Sequence, residues 1–91
     1  MLRITVEEED NQTRFLLEGK LTGDWVTELE TSWRIVSRPG AEVCIDLSSV
    51  SFVDDNGKAL LRRMVSQGAK LRTRGPLMTS LAKEIASQLT E

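Results

Sequence analysis

VCIDLSSVSFVDDNGKALLRRMVSQGAK, residues 43–70, sets three local signals in the order that decides the fold. An apolar run, Val43-Cys44-Ile45, meets Asp46 and the short stretch Ser48-Ser49. A second apolar pair, Phe52-Val53, leads into the acidic corner Asp54-Asp55-Asn56-Gly57. Beyond the corner, Leu60, Leu61, Met64 and Val65 recur at helical spacing, with Lys58, Arg62, Arg63 and Gln67 on the opposite face. Gly68 supplies the left-handed stop. A buried strand, a tight acidic turn and an amphipathic helix put a negatively charged helix start on the surface. Such a place suits a regulated contact better than bond-making chemistry.

On the amino-terminal side, Leu2 to Glu7 alternates apolar and polar residues, the period of a half-buried strand. Glu8 to Gln12 reads as a polar turn and Thr13 to Glu18 as a second strand, so the pair predicts a hairpin. Gly19 to Asp24 breaks the pattern, and either Thr22 or Asp24 is placed to cap the next helix. Trp25, Val26, Leu29, Trp33 and Val36 follow at helical spacing. The two tryptophans lie on this apolar stripe, which favours core packing over a ligand platform. Arg38-Pro39-Gly40 ends that helix. Ala41 to Leu47 is apolar nearly throughout and predicts a central strand buried on both faces.

On the carboxyl-terminal side, Ala69 to Thr73 reads as a short strand. Gly75-Pro76 opens a last helix with proline at its favoured first position, and Leu77, Leu81, Ile85 and Leu89 repeat every four residues. The expected fold is α/β: a single domain over residues 1–91, a mixed sheet with helices packed against it, in the order β-β-α-β-α-β-α. Its β-α-β units call for parallel neighbours with right-handed crossovers.

Ninety-one residues make a small domain in which one continuous core must suffice. Twelve basic against fourteen acidic side chains, a net charge of −2, offer no electrostatic footprint for nucleic acid. The apolar runs are too short to span a bilayer, and Met1 leads directly into the first strand without the pattern of a secretion signal. The single cysteine, Cys44, sits in an apolar strand and reads as a small packed hydrophobe in a cytoplasmic protein. With no histidine, one cysteine and no Walker or G-x-G-x-x-G loop, the expectation is a protein without catalytic residues, metal or cofactor. Convergence of Asp46, Asp54 and Asp55 as a magnesium-binding phosphoacceptor is the competing view. Against it, short carboxylates serve commonly in turns and helix caps. A phosphate or nucleotide bound at the second helix's start would meet two repelling carboxylates.

Ile45-Asp46-Leu47-Ser48, Phe52-Val53-Asp54, Gly57 and Gly68-Ala69-Lys70-Leu71, with Glu18-Gly19-Lys20-Leu21 upstream, form an ordered set. This set resembles the core of a STAS domain, the fold shared by bacterial anti-sigma factor antagonists and sulfate-transporter tails. The resemblance runs from about Leu2 to Leu89. It implies a cytoplasmic protein-interaction module for signal transduction and transcription regulation, whose partner is an anti-sigma factor or kinase-like protein. An alternative of the same fold is an accessory subunit of a membrane transporter ATPase. The contact surface is expected at Ser51, Asp54, Asp55, Asn56 and Lys58, with Arg62 and Arg63 available for acidic groups of the partner.

The chain departs from the family pattern at two points. Where antagonists carry the serine that a kinase phosphorylates, this chain has Asp55, which accepts no stable phosphoester. Asp55 is then either a helix-capping residue, like Asp54, or a fixed imitation of the phosphorylated state. The family also continues with another strand and helix, whereas this sequence stops after its third helix, so a sheet edge is expected to stand open to a partner or a second copy.

Overall fold

The computed structural model describes residues 1–36 and 40–89. Seven elements follow in the expected order: β1 (Leu2–Glu9), β2 (Gln12–Leu21), α1 (Asp24–Val36), β3 (Glu42–Val53), α2 (Asp55–Ser66), β4 (Lys70–Arg72) and α3 (Pro76–Leu89). They build one four-stranded sheet in the order β1-β2-β3-β4. β1 runs antiparallel to β2, while β2–β3 and β3–β4 are parallel, so the sheet is mixed as expected.

The hairpin is tighter than the sequence pattern predicts. β1 and β2 pair without interruption from Leu2↔Gly19 to Glu9↔Gln12, leaving only Asp10 and Asn11 in the turn. Asp10 takes a positive φ of 37°, which an aspartate tolerates in such a link.

β3 departs further from expectation. Val43, Ile45 and Leu47 are buried, but Glu42 is exposed and Cys44 and Asp46 are half-buried. The strand is therefore covered on one face, not two. The register explains it: Val43 and Ile45 lie beside Thr13 and Phe15, all buried, whereas Cys44 and Asp46 lie beside Arg14 and Leu16 on the other face. The helices cover a single face and form a two-layer domain.

The Ser48-Ser49 stretch does not end the strand either. Two register shifts against β2 insert extra residues into β3, and buried positions, spaced by two up to Leu47, then fall at Val50 and Val53. Each bulge turns the strand's face by one residue. That slip leaves Phe52 half exposed, at 51%, beside a fully seated Val53.

The core unites Phe15, Leu17, Leu21, Ile45 and Leu47 of the sheet with Leu29 and Trp33 of α1, Leu60, Leu61 and Met64 of α2, and Met78, Leu81 and Ile85 of α3. Trp33 is buried and Trp25 packs partly against the core, so both tryptophans serve packing. Gly68 carries the expected positive φ, 102°, just past α2. Arg38 and Pro39 of the expected helix terminator lie outside the described residues, as do the side chains of Leu77 and Leu89. No described helix is long and apolar enough to cross a membrane.

Candidate functional site

The site begins where β3 ends, at the carboxyl end of the parallel strands, the customary place for recognition in open α/β sheets. Asp54 is extended and caps α2: its Oδ1 accepts the Gly57 N–H at 2.7 Å. Its Oδ2 accepts the Gly23 N–H at 3.0 Å, reaching across to the turn before α1. Its own N–H donates to the Leu21 carbonyl at 3.1 Å. One residue thus ties the ends of β2 and β3 to the starts of α1 and α2, and both carboxylate oxygens are committed to backbone groups.

Gly57 follows from the same closeness. A Cβ there would stand 2.7 Å from Val53 Cγ1 and 2.9 Å from the Leu21 carbonyl. Only a residue without a side chain lets the first turn of α2 sit this near the end of β2.

Asp55, one residue on, has a different situation. It is the first residue of α2, exposed, and its side chain makes no hydrogen bond or ion pair among the described residues. The sequence leaves Asp54 and Asp55 as equal candidates for the cap; the structure assigns that role to Asp54. Asn56 is exposed beside it. Lys58 is half-buried, its N–H bonded to the Asp54 carbonyl at 2.9 Å. Ser51 is exposed at the second bulge, where its hydroxyl donates to the Gly19 carbonyl at 3.3 Å.

Ser51, Asp54, Asp55, Asn56 and Lys58 therefore gather at one corner. Arg62 and Arg63 lie farther along α2, roughly 10–12 Å from Asp55 at the helical rise. Arg63 donates to Glu30 at 2.7 Å, and Arg34 reaches the same carboxylate oxygen at 2.8 Å. The Arg63 hydrogen bond, only partly opposed by burial and aided by the charges of Arg63 and Arg34, holds the Glu30 carboxyl below its ordinary value. Arg63 is thus engaged within the molecule, bridging α2 to α1. Arg62 is half-buried, and its Nε lacks a hydrogen-bond partner among the described residues.

Asp46 stands in mid-strand, eight residues before Asp54, roughly 25 Å along β3 at strand rise. Its Oδ1 accepts the Ser48 N–H at 2.9 Å. Burial raises its pKa, but the Ser48 hydrogen bonds and the charges of Arg72 and Arg14 outweigh this and lower it overall. The three aspartates of the phosphoacceptor alternative do not converge: Asp46 lies within β3, and Asp54 and Asp55 lie beyond its carboxyl end. Among the described residues no group of three carboxylate or thiol ligands comes together.

A shallow cleft of about 170 Å³ flanks the corner, lined by Phe52 and Lys58 together with Met78, Leu81 and Glu84 of α3. Its apolar wall was not legible in the sequence, where Phe52 reads only as one of an apolar pair leading into the corner. The bulges that turn it outward leave no mark in the hydrophobic pattern.

Solved structures share this architecture. An anti-sigma factor antagonist from Mycobacterium paratuberculosis matches with a TM-score of 0.74 and 20% identity, over 100% of this chain and 96% of its own. The anti-sigma factor antagonist SpoIIAA, in its unphosphorylated form, matches with a TM-score of 0.69 and 21% identity over 89% and 82% of the two chains. A STAS-domain antagonist from Rhodobacter sphaeroides gives 0.53 and 19% over 99% and 96%.

The chain has the STAS fold.

A part of the larger protein Mglu is also similar, with a TM-score of 0.62 and 21% identity, and this chain spans 19% of its length. No family model and no curated protein sequence matches the chain. In this STAS fold the Asp54-Asp55-Asn56-Gly57 corner lies between the ends of β2 and β3 and the first turn of α2.

Proposed function

We propose that this chain is a non-enzymatic protein-interaction module of the anti-sigma factor antagonist kind, held in one state by a carboxylate at position 55. The observation that supports it is the division of roles at the corner. Asp54 holds the backbone together with both oxygens, and the Asp55 side chain is exposed and without a partner among the described residues. A side chain that closes no contact within the described chain, at the position where the antagonists this chain resembles carry a phosphorylated serine, is available to a partner.

The imitation is partial. Aspartate offers one charge and two acceptor oxygens against roughly −1.5 to −2 charges and three oxygens for phosphoserine. The module therefore sits near the modified form without cycling, and binds the partner that prefers negative charge at this corner. Ser51, Asp54, Asp55, Asn56 and Lys58 form the centre of the contact, Phe52 and the adjoining cleft its apolar flank, and Arg62 its continuation along α2. Arg63 joins it together with Glu30. The partner is an anti-sigma factor or kinase-like protein in the cytoplasm, and a second copy at a sheet edge is the other contact this reading includes.

The test is affinity capture with the wild-type chain, identification of the captured protein, and calorimetric titration of that protein against wild type, Asp55→Ser and Asp55→Ala. A kinase-like protein that binds Asp55→Ser at least about fivefold differently from wild type, about 1 kcal/mol, is the expected result. Equal affinities for wild type and Asp55→Ser remove the role assigned to Asp55. Capture of a transporter ATPase instead moves the module to a membrane-associated assembly.

A further inference from the structure

The sheet has two edges, β1 and β4. β4 is three residues long, and its Lys70 is paired with Glu42 of β3 at 2.9 Å. Short edges of this kind resist further pairing. β1 is eight residues long, contains no proline, and pairs with β2 without a bulge. It has neither the proline nor the bulge that blunts many edges, and the charges it does carry are of both signs, Arg3 against Glu7, Glu8 and Glu9.

The direction of its backbone groups follows from the register. The Lys20 N–H bonds the Met1 carbonyl at 3.0 Å, and pairing continues residue by residue to the two-residue turn. In an antiparallel ladder, hydrogen-bonded and non-bonded pairs alternate. Arg3, Thr5, Glu7 and Glu9 thus direct their backbone groups at β2, and Leu2, Ile4, Val6 and Glu8 direct theirs at the open edge. The side chains divide in the same way. Leu2, Ile4 and Val6 lie on the helix-covered face, where cover fades from a buried Leu2 to a Val6 that is 37% exposed. Arg3, Thr5 and Glu7 lie on the open face and are exposed. Arg3 forms no ion pair among the described residues, although Glu18 of β2 stands opposite it.

We infer that β1 pairs antiparallel with β1 of a second copy about a two-fold axis at Thr5, joining two four-stranded sheets into one. This deepens the sheet-edge part of the function proposed above and is independent of the Asp55 corner.

The strand is self-complementary in this register. Ile4 meets Val6 of the second copy in a hydrogen-bonded pair, twice by symmetry, which covers the exposed valine. Arg3 meets Glu7 of the second copy on the open face, also twice, and gains the opposite charge it lacks within its own chain. Glu7, which already faces Arg14 of its own chain at 3.7 Å, then lies between two cations. Leu2 and Glu8 form the outer hydrogen-bonded pairs, so the edge groups of all four even-numbered residues are used. Backbone parity permits only shifts by two. A shift to an axis at Ile4 keeps apolar against apolar but sets Arg3 against Thr5 and loses the charge pairs. A shift to an axis at Val6 keeps Arg3 against Glu9 but sets Ile4 against Glu8. The axis at Thr5 joins the Ile4–Val6 contacts to the Arg3–Glu7 pairs, with Leu2 facing Glu8 at its ends.

The experiment is sedimentation equilibrium of the wild type, Arg3→Glu, Glu7→Arg and the Arg3→Glu/Glu7→Arg double variant, with circular dichroism to confirm folding. The wild type is expected at twice the 10.2 kDa chain mass. Each single reversal sets like charges together twice and raises the dimer dissociation constant by about tenfold or more, and the double variant restores it. Val6→Pro removes an N–H that points away from β2, so the monomer folds and the dimer is lost.

Thr5→Cys, in a Cys44→Ser background, reports the register directly. Residues facing each other across a non-bonded antiparallel pair lie about 4.5 Å apart at Cα, within disulfide reach. Oxidation is expected to link two copies. A wild type that sediments as a monomer overturns the inference, as does a dimer indifferent to the charge reversals or a Thr5→Cys chain that does not cross-link. None of these outcomes bears on partner affinity at Asp55, which the titration reads separately.

Discussion

Asp54 and Asp55 are chemically identical neighbours with opposite obligations. Asp54 accepts from Gly57 and from Gly23, so its loss frees two backbone donors at once. Asp54→Ala is expected to cost about 1–2 kcal/mol in chemical denaturation. Asp55 contributes little beyond its favourable place at the positive end of α2, and Asp55→Ala is expected to cost less than about 1 kcal/mol. Comparable losses for the two would place Asp55 in the frame of the fold and weaken its assignment to a partner. Gly57 makes a third expectation at this scale. Its missing Cβ leaves room for Val53 and the Leu21 carbonyl, so Gly57→Ala pushes α2 off the sheet and is expected to cost about 1–3 kcal/mol. The capping aspartate and the glycine three residues on were both visible as a motif. Which of the two carboxylates caps was not, because the capping pattern tolerates a shift of one residue.

At the level of the elements, α1 and α2 are linked by Glu30, which accepts from Arg63 across the helix pair and from Arg34 one turn along its own helix. The carboxyl's folded pKa lies below its unfolded value. Its contribution is therefore complete above the ordinary glutamate range and is lost as pH falls through the depressed folded value. Asp46 acts in the same sense within the sheet. Thermal melts of wild type and Glu30→Gln across the acid range are expected to differ at neutral pH and to converge at low pH. Parallel curves throughout would show that the Arg63–Glu30–Arg34 contact adds nothing through its charge. Helical spacing placed Arg63 on a water-facing stripe, and it is indeed exposed. The spacing of one helix carries no information about the carboxylate that a neighbouring helix brings to it.

Over the whole molecule, the β1 edge and the Asp54–Asp55 corner belong to different elements: one is an outer strand, the other the carboxyl end of β3, with β2 between them. Val6→Pro is accordingly expected to abolish self-association and leave affinity for the captured partner unchanged; a parallel loss of both would join the two surfaces into one. The amino-acid pattern alone determined the order of elements, the apolar stripes of the helices, the hairpin and the acidic start of α2, because each rests on residues close in the chain with a period of two or near 3.6. Tertiary structure decided the rest. β3 is covered on one face because all three helices pack on the same side, and its bulges turn Phe52 outward because β2 presents fewer residues than β3 over the same length. Asp54 rather than Asp55 closes the corner because Gly23, thirty-one residues away, arrives beside it. Such facts depend on which distant backbone groups meet, and a linear sequence records no distances between them.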